Sequence, residues 1–208
     1  ETPQAVTPAQ RADIRRAARD AGIAVSGLHW LLAKPDGLSI TSSDATVRDR
    51  TITQMHRQID LCADLGGSVL VHGSPAQRRI DDADPTGARE RGIDAFASVA
   101  EHAQQAGVIY CIEPLAPPGA NFVVTVAQAV EIVQAIDQPA LRTMIDCCAA
   151  THAESESVPE LLARWLPTGL LAHVQVNDGK QRGPGKGALR FVEILRTLQQ
   201  HAYAGWVA

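Results

Sequence analysis

Three residues with metal-binding oxygens follow three successive apolar segments of the chain. Glu113 follows the run from Val108 to Ile112, Asp146 ends the segment that begins at Thr143, and Gln175 lies within the sequence HVQVND at 173–178. Carboxylate and amide oxygens suit a hard cation such as Mg²⁺ or Mn²⁺, and Co²⁺ is also compatible with them. One acid at the end of a strand can simply cap a loop, whereas the same placement three times in succession predicts a cation site.

Strand-like segments that begin near positions 23, 69, 108, 143, 170 and 205 alternate with helical patterns. Helix starts are marked by capping residues or proline at Thr7, Asp44, Asp84, Thr125 and Ser157, and a last helix is predicted over 188–201. Alternation of this kind is typical of a parallel sheet with helical crossovers.

Two architectures fit this alternation, an open doubly wound sheet and part of a (β/α)₈ barrel. A glycine-rich nucleotide turn would usually follow the first strand of an open sheet, and none is present here. We therefore predict an α/β fold of the (β/α)₈ TIM barrel type, with about six of the eight βα units in one domain over 1–208. The carboxyl ends of all strands meet at one face of such a barrel, so Glu113, Asp146 and Gln175 are expected to converge there.

Composition excludes several other classes of protein. Among 208 residues, 19 basic and 23 acidic side chains give a net charge of -4, which argues against nucleic acid as a partner. No apolar run is long enough to span a bilayer, so no membrane segment is predicted. The four cysteines lack the spacing of a disulfide framework or a zinc site, and three of them fall in predicted strands (Cys111, Cys147 and Cys148). Reduced, buried thiols in a cytoplasmic protein are expected.

Four segments together resemble the sugar phosphate isomerase/epimerase family: IEP at 112–114, MID at 144–146, HVQVND at 173–178 and RGPGKG at 182–187. That family has the xylose isomerase-like TIM barrel and includes ketose 3-epimerases and hydroxypyruvate isomerases. The resemblance implies that Glu113 is a metal ligand and catalytic acid or base, and that Asp146 and Gln175 are further ligands. It also implies a small-molecule substrate, which is a sugar, sugar phosphate or hydroxy-keto acid. A proton of this substrate would move through an ene-diolate while a divalent cation polarises the carbonyl.

The same resemblance predicts that the chain is truncated at both ends. The chain begins at Glu1 without a methionine and stops within the apolar segment 205–208. Two βα units are expected ahead of Glu1, and the family's fourth ligand, a glutamate, is expected one or two residues beyond Ala208. Homo-oligomer formation is left open by the sequence.

Further residues are expected to contact the substrate from the same face of the barrel. His29 and Trp30 end the first strand, His72 ends the second, and Arg182 lies in the glycine-rich loop after the fifth. The adjacent pair Arg78–Arg79 is expected on the surface, with recognition of a substrate phosphate or carboxylate as the alternative.

Two rival functions fit the same barrel. An apurinic endonuclease would need a histidine-rich zinc cluster, but Ala149 stands three residues after Asp146, where the nuclease and many epimerases have histidine. A non-catalytic sugar-binding protein is the other alternative. A glutamate soon after Ala208 would favour the enzyme over the binding protein.

Overall fold

The computed structural model of the protein describes residues 2–180 and 182–208, and its six strands form one parallel sheet. The strands are β1 (Gly27–His29), β2 (Val69–His72), β3 (Ile109–Ile112), β4 (Leu141–Asp146), β5 (Leu171–Gln175) and β6 (Trp206–Val207). Each strand pairs with the strands directly before and after it in the sequence. This order has no reversal point, as a doubly wound sheet would, and it confirms the prediction of a (β/α)₈ barrel represented by six strands.

The sheet also curls as a barrel wall does. The Trp206 indole Nε1 donates a hydrogen bond of 2.9 Å to the Oγ of Ser68, which directly precedes β2. Ala208, just after β6, lines a small cavity together with His29 of β1. The last strand is therefore brought across to the first two by curvature of the sheet.

Seven α-helices connect and flank the strands in the described part of the chain. They are α1 (Pro8–Asp20), α2 (Ala45–Leu65), α3 (Pro85–Ala106), α4 (Val126–Ile136), α5 (Cys147–Ala153), α6 (Val158–Trp165) and α7 (Phe191–Gln200). The helix starts predicted from capping residues are confirmed at Thr7, Asp44, Asp84, Thr125 and Ser157. None of the described helices is long and apolar enough to cross a membrane.

The short helix α5 was not predicted. Cys147 and Cys148 were expected among strand residues, and no helix was expected directly after Asp146. In the structure the Asp146 carboxylate accepts a hydrogen bond from the backbone N–H of Ala149 and caps a helix that starts immediately after β4. This local hydrogen bond ends the strand at Asp146.

Alternate residues of each strand face opposite sides of the sheet. Four side chains form an apolar layer on the inner side: Val69, Val71, Cys111 and Met144. Leu70, Tyr110 and Ile112 instead join the outer core with residues of α2 and α3. Ile145 and Val174 pack outward with residues of α6 and α7. Burial on both faces explains why β2 and β3 are almost wholly apolar in sequence.

This packing predicts that the native protein protects the thiols of Cys62, Cys111 and Cys147, whereas Cys148 also borders the open cavity at the carboxyl ends of the strands. The four cysteines are free and buried, and burial raises the pKa of the Cys62 thiol to about 11 and that of Cys147 to about 12. Because the thiolate is the reactive form, a chromogenic disulfide reagent at mildly alkaline pH should modify these three thiols of the native protein only slowly. The same reagent should titrate four thiols in denaturing urea. Rapid modification of more than one thiol in the folded protein would contradict this packing.

Candidate active site

A cavity of about 710 Å³ opens at the carboxyl ends of the strands. Its wall includes residues from the ends of β1, β3, β4 and β5, and its volume is in the range of small-molecule sites. The residues that bear on its chemistry are His29, Trp30, Gly73, Glu113, Asp146, His152, Gln175 and Asn177. Glu113, Asp146 and Gln175 thus line one cavity, as the strand-end pattern predicted.

Glu113 is the most buried acid of the cavity, with 3% of its surface exposed. It follows Ile112 and so shares the inner side with Cys111, and its carboxylate lies directly against Gly73 after β2. A Cβ at Gly73 would lie 1.7 Å from Glu113 Oε2, so the carboxylate occupies the space that any other side chain would need. Burial and the nearby charge of Asp146 raise the pKa of Glu113 to about 7, and Arg78 offsets part of that rise.

Asp146 is held by hydrogen bonds to both of its carboxylate oxygens. Oδ1 accepts from the backbone N–H of Ala149 at 2.7 Å, and Oδ2 accepts from Nδ2 of Asn177 at 2.8 Å. Asn177 in turn accepts a bond of 2.9 Å from the backbone N–H of Cys148. Asn177 therefore joins the end of β5 to the start of α5 and fixes the orientation of the Asp146 carboxylate.

Gln175 is the register partner of Asp146 across the β4–β5 pair, and both line the cavity. Two carboxylates and one amide offer the oxygen ligands that a divalent cation prefers. Burial in the first place, and the charge of Asp146 in the second, raise the pKa of Glu113, and a cation between the two carboxylates would favour their charged forms. Within residues 2–180 and 182–208, no three His, Cys, Asp or Glu side chains form a metal-binding group on their own. The residues present therefore fit a cation site that includes the Gln175 amide.

His29 and Trp30 lie at the cavity as predicted. His29 Nε2 is 3.9 Å from Glu113 Oε2, and burial lowers the pKa of His29, partly opposed by the charge of Asp146. The Trp30 side chain lines the cavity while 68% of the residue remains exposed, and its backbone has a left-handed φ of 57°. A bulky residue rarely adopts this conformation. The structure thus gives the cavity a neutral imidazole and an exposed indole face.

His72 does not reach the cavity, which corrects the prediction that it faces the mouth. It is 0% exposed, its Nδ1 lies 2.7 Å from the Tyr110 hydroxyl, and its ring packs edge-on against Phe96 of α3. The reason is the alternation along β2, where Val71 faces inward and His72 faces the helices. The next residue, Gly73, occupies the inner position instead.

The arginines also differ from expectation. Arg182 is exposed and is absent from the described cavity wall, although its backbone carbonyl accepts a hydrogen bond of 2.7 Å from the N–H of Asp178. A role for Arg182 in substrate binding therefore stays a prediction. Arg79 is on the surface as expected, but Arg78 is wholly buried beside Glu113, so its placement on the surface was wrong.

Three residues that shape this site were not predicted from the sequence. Gly73 could have been found from the alternation along β2, and Asn177 from its place two residues after Gln175. His152 lines the cavity from α5 and lies 3.1 Å, through Nε2, from the carbonyl of Gly179. No signal for His152 was available, because α5 itself was not predicted.

Comparisons with known proteins agree with this geometry. A family model described as a xylose isomerase-like TIM barrel matches residues 2–208. A probable ketose 3-epimerase of Synechocystis sp. is 28% identical over 183 residues, which are 86% of this chain and 62% of the relative. The D-psicose 3-epimerase of Agrobacterium fabrum is 27% identical over 96% of this chain and 68% of its own length.

Structural similarity extends over nearly all of the chain. A crystal structure of D-psicose 3-epimerase in the presence of D-fructose superposes with a TM-score of 0.78 at 25% sequence identity. The match covers 97% of this chain and 68% of that protein. The chain therefore spans about two thirds of the length of these relatives.

The contacts of Asn177 yield a test of how the site is held together. Asn177→Ala removes two hydrogen bonds and leaves an oxygen of the buried Asp146 without its donor, so the free energy of unfolding should fall by about 1–3 kcal/mol. Urea denaturation followed by circular dichroism measures this change.

Asn121→Ala is the matched control for this substitution. Asn121 also makes two hydrogen bonds, to the backbone N–H and carbonyl of Ile80, but it is exposed and water can replace them. Its loss of stability should be the smaller of the two. Equal losses would mean that Asn177 has no special part in organising the site.

Proposed function

Because the chain belongs to the xylose isomerase-like TIM barrel family, we propose that it is a divalent-metal-dependent isomerase or epimerase of a ketose or a related hydroxy-keto compound. One observation carries this proposal: Glu113, Asp146 and Gln175 come from three successive strands and line a single cavity. The ketose 3-epimerases among its relatives favour proton transfer at a carbon next to a carbonyl.

Glu113, Asp146 and Gln175 would hold the cation, as Mn²⁺, Mg²⁺ or Co²⁺. When bound, the cation would polarise the substrate carbonyl and the neighbouring hydroxyl. Asn177 keeps the Asp146 carboxylate turned toward the cavity, and Gly73 leaves room for the carboxylate of Glu113. The protein's own contribution is thus a rigid placement of oxygen ligands.

Glu113 would also remove or return the proton at the reacting carbon. Its carboxylate is buried at the base of an open cavity, where water is largely excluded from the acid but a substrate can enter. A general base acts best when its pKa lies near the working pH. His29, close to the same carboxylate, is neutral at physiological pH and can hydrogen-bond a substrate hydroxyl.

The cavity wall supports an uncharged substrate. No lysine or arginine is among its lining residues in the described part of the chain, whereas phosphate recognition usually employs such side chains. The exposed Trp30 indole offers an apolar surface against which the C–H face of a sugar can pack. We therefore expect a sugar without a phosphate group, with Trp30 and His29 as substrate contacts.

Isotope exchange tests the reaction directly. With Mn²⁺ in D₂O, the full-length protein that contains this chain should incorporate deuterium at the carbon next to the carbonyl of one or more ketoses, detected by proton NMR. Glu113→Gln keeps the shape of the side chain but removes the base, so the exchange rate should fall by about 100-fold or more.

Glu131→Gln is the matched control, because Glu131 is exposed on α4 and is not among the residues that line the cavity. Its exchange rate should equal that of the wild type. If no ketose or hydroxypyruvate exchanges a proton, the isomerase proposal is wrong. Saturable binding of a sugar without exchange would instead identify the non-catalytic sugar-binding protein.

Crowding at Gly73 provides a second test, one that needs no substrate. In Gly73→Ala the new methyl group would overlap the Glu113 carboxylate, whose flexible side chain must move away. The Mn²⁺ affinity, measured by isothermal titration calorimetry, should then weaken by about tenfold or more.

Gly119→Ala controls for the added methyl group. Gly119 also lies on the cavity wall, but its Cβ would meet only the carbonyl of Ala116 at an ordinary 3.5 Å. Its Mn²⁺ affinity should match the wild type. Unchanged affinity in both variants would exclude Glu113 as a ligand.

A further inference from the structure

Two adjacent arginines have opposite environments. Arg79 is exposed, whereas Arg78, at the end of a short 3₁₀ turn over Ala76–Arg78, is 0% exposed. Burial lowers the pKa of Arg78 to about 10, with the charge of Glu113 acting in the opposite direction, so the guanidinium is protonated at neutral pH. A full positive charge is therefore enclosed directly behind the proposed active site.

The Arg78 guanidinium contacts backbone rather than carboxylate. Nη1 donates to the carbonyl of His72 at 3.2 Å, and Nη2 donates to the carbonyl of Glu113 at 2.5 Å. Glu113 also donates its own N–H to the His72 carbonyl at 3.3 Å. One side chain thus joins the last residue of β2 to the residue that follows β3.

This contact replaces a strand ladder that cannot continue. β2 ends at His72, and the N–H of Gly73 turns back to the carbonyl of Val71, so the β2–β3 pairing ends with the bond from Glu113 N–H to His72. Without another donor, the Glu113 carbonyl would be a buried acceptor with no partner. Arg78 supplies that donor and restrains the Glu113 backbone on its carboxyl side.

General stability is a poor explanation for this arrangement. Removing a guanidinium from water is expensive, and well-packed apolar residues often stabilise such a position at least as well. The Nε of Arg78 has no hydrogen-bond partner among the described residues, so the guanidinium is not even fully satisfied. What distinguishes its two contacts is their place: one is to the carbonyl of Glu113, and the other is to the carbonyl of His72, which also accepts the Glu113 N–H.

We propose that Arg78 is a positioning residue for Glu113. Its guanidinium fixes the Glu113 backbone, so that the carboxylate points into the cavity at the depth that proton transfer requires. This inference rests on the proposed function for its catalytic consequence, but the restraint on Glu113 can be measured without catalysis.

Three variants test the proposal, each compared with wild type. Arg78→Lys keeps the charge but loses the two-pronged donor, Arg78→Ala leaves a cavity that a guanidinium compound can refill, and Arg79→Lys is the exposed neighbour. The measurements are kcat and KM by the isotope-exchange assay, the melting temperature, Mn²⁺ affinity, and amide hydrogen exchange of peptides covering residues 108–115.

A positioning role predicts a specific pattern. Arg78→Lys should fold and lose about tenfold or more in kcat with little change in KM, because misplacing a reacting group raises the barrier without weakening substrate binding. Amide exchange should rise at 108–115 more than in β4 and β5. Ethylguanidinium should restore part of the kcat of Arg78→Ala, and Arg79→Lys should behave as wild type.

Each other outcome has a defined meaning. Wild-type kcat and wild-type amide exchange in Arg78→Lys would overturn the proposal. Failure of both Arg78 variants to fold, or a uniform rise of amide exchange through the sheet, would also overturn it, because either result would mark a purely structural role. If wild type itself turns over no ketose, the proposed function fails. Amide exchange at 108–115 and Mn²⁺ affinity still decide whether Arg78 positions Glu113.

Discussion

Alternation of side chains along parallel strands, with each strand held in register by backbone hydrogen bonds, decides which residues reach the cavity. Val71, Cys111 and Met144 fill the inner side below the site, and the inner positions that follow them are Gly73, Glu113 and Asp146. A shift of one residue in any strand would exchange a cavity residue for one facing the helices. The apolar outer core, with α2 and α3 packed on β2 and β3, prevents such a shift.

The groups around Glu113 act in opposite directions on the ionisation of its carboxyl group. Burial and Asp146 both oppose ionisation of its carboxyl group, whereas Arg78 favours it from the protein side. A cation held by Asp146 and Gln175 would favour ionisation from the cavity side. The two positive charges differ in kind, because one is built into the fold and the other is exchangeable. The state of Glu113 would therefore depend on whether the metal is bound.

The fold and the placement of three strand-end residues at one cavity could be predicted because their signals are local. Each strand is an apolar run, each helix start has a capping residue, and Glu113 and Asp146 end apolar runs. His72 could not be placed by the same rule. A residue at the end of a strand faces the cavity only if its register with the neighbouring strand also puts its side chain on the inner side of the sheet. The register pair of His72 with Ile112 shows that Gly73 lies opposite Glu113.

Arg78 marks the limit of reading a sequence in this way. Adjacent arginines in a polar loop are usually solvated, and nothing within the loop distinguishes Arg78 from Arg79. The difference is created by an acceptor 35 positions away, the carbonyl of Glu113. Long-range hydrogen bonds to backbone leave no pattern in side-chain types, so only the three-dimensional structure reveals them.

The backbone conformation of Trp30 has a consequence for how this sequence can evolve. A left-handed backbone costs a bulky residue about 1–3 kcal/mol, and two thirds of its side chain gains no burial in return. Selection for stability alone would replace Trp30 with glycine, which adopts this conformation freely. At position 30, therefore, a change that increases stability would remove part of the cavity wall. A descendant selected for thermostability and no longer for substrate binding would be expected to replace this tryptophan early.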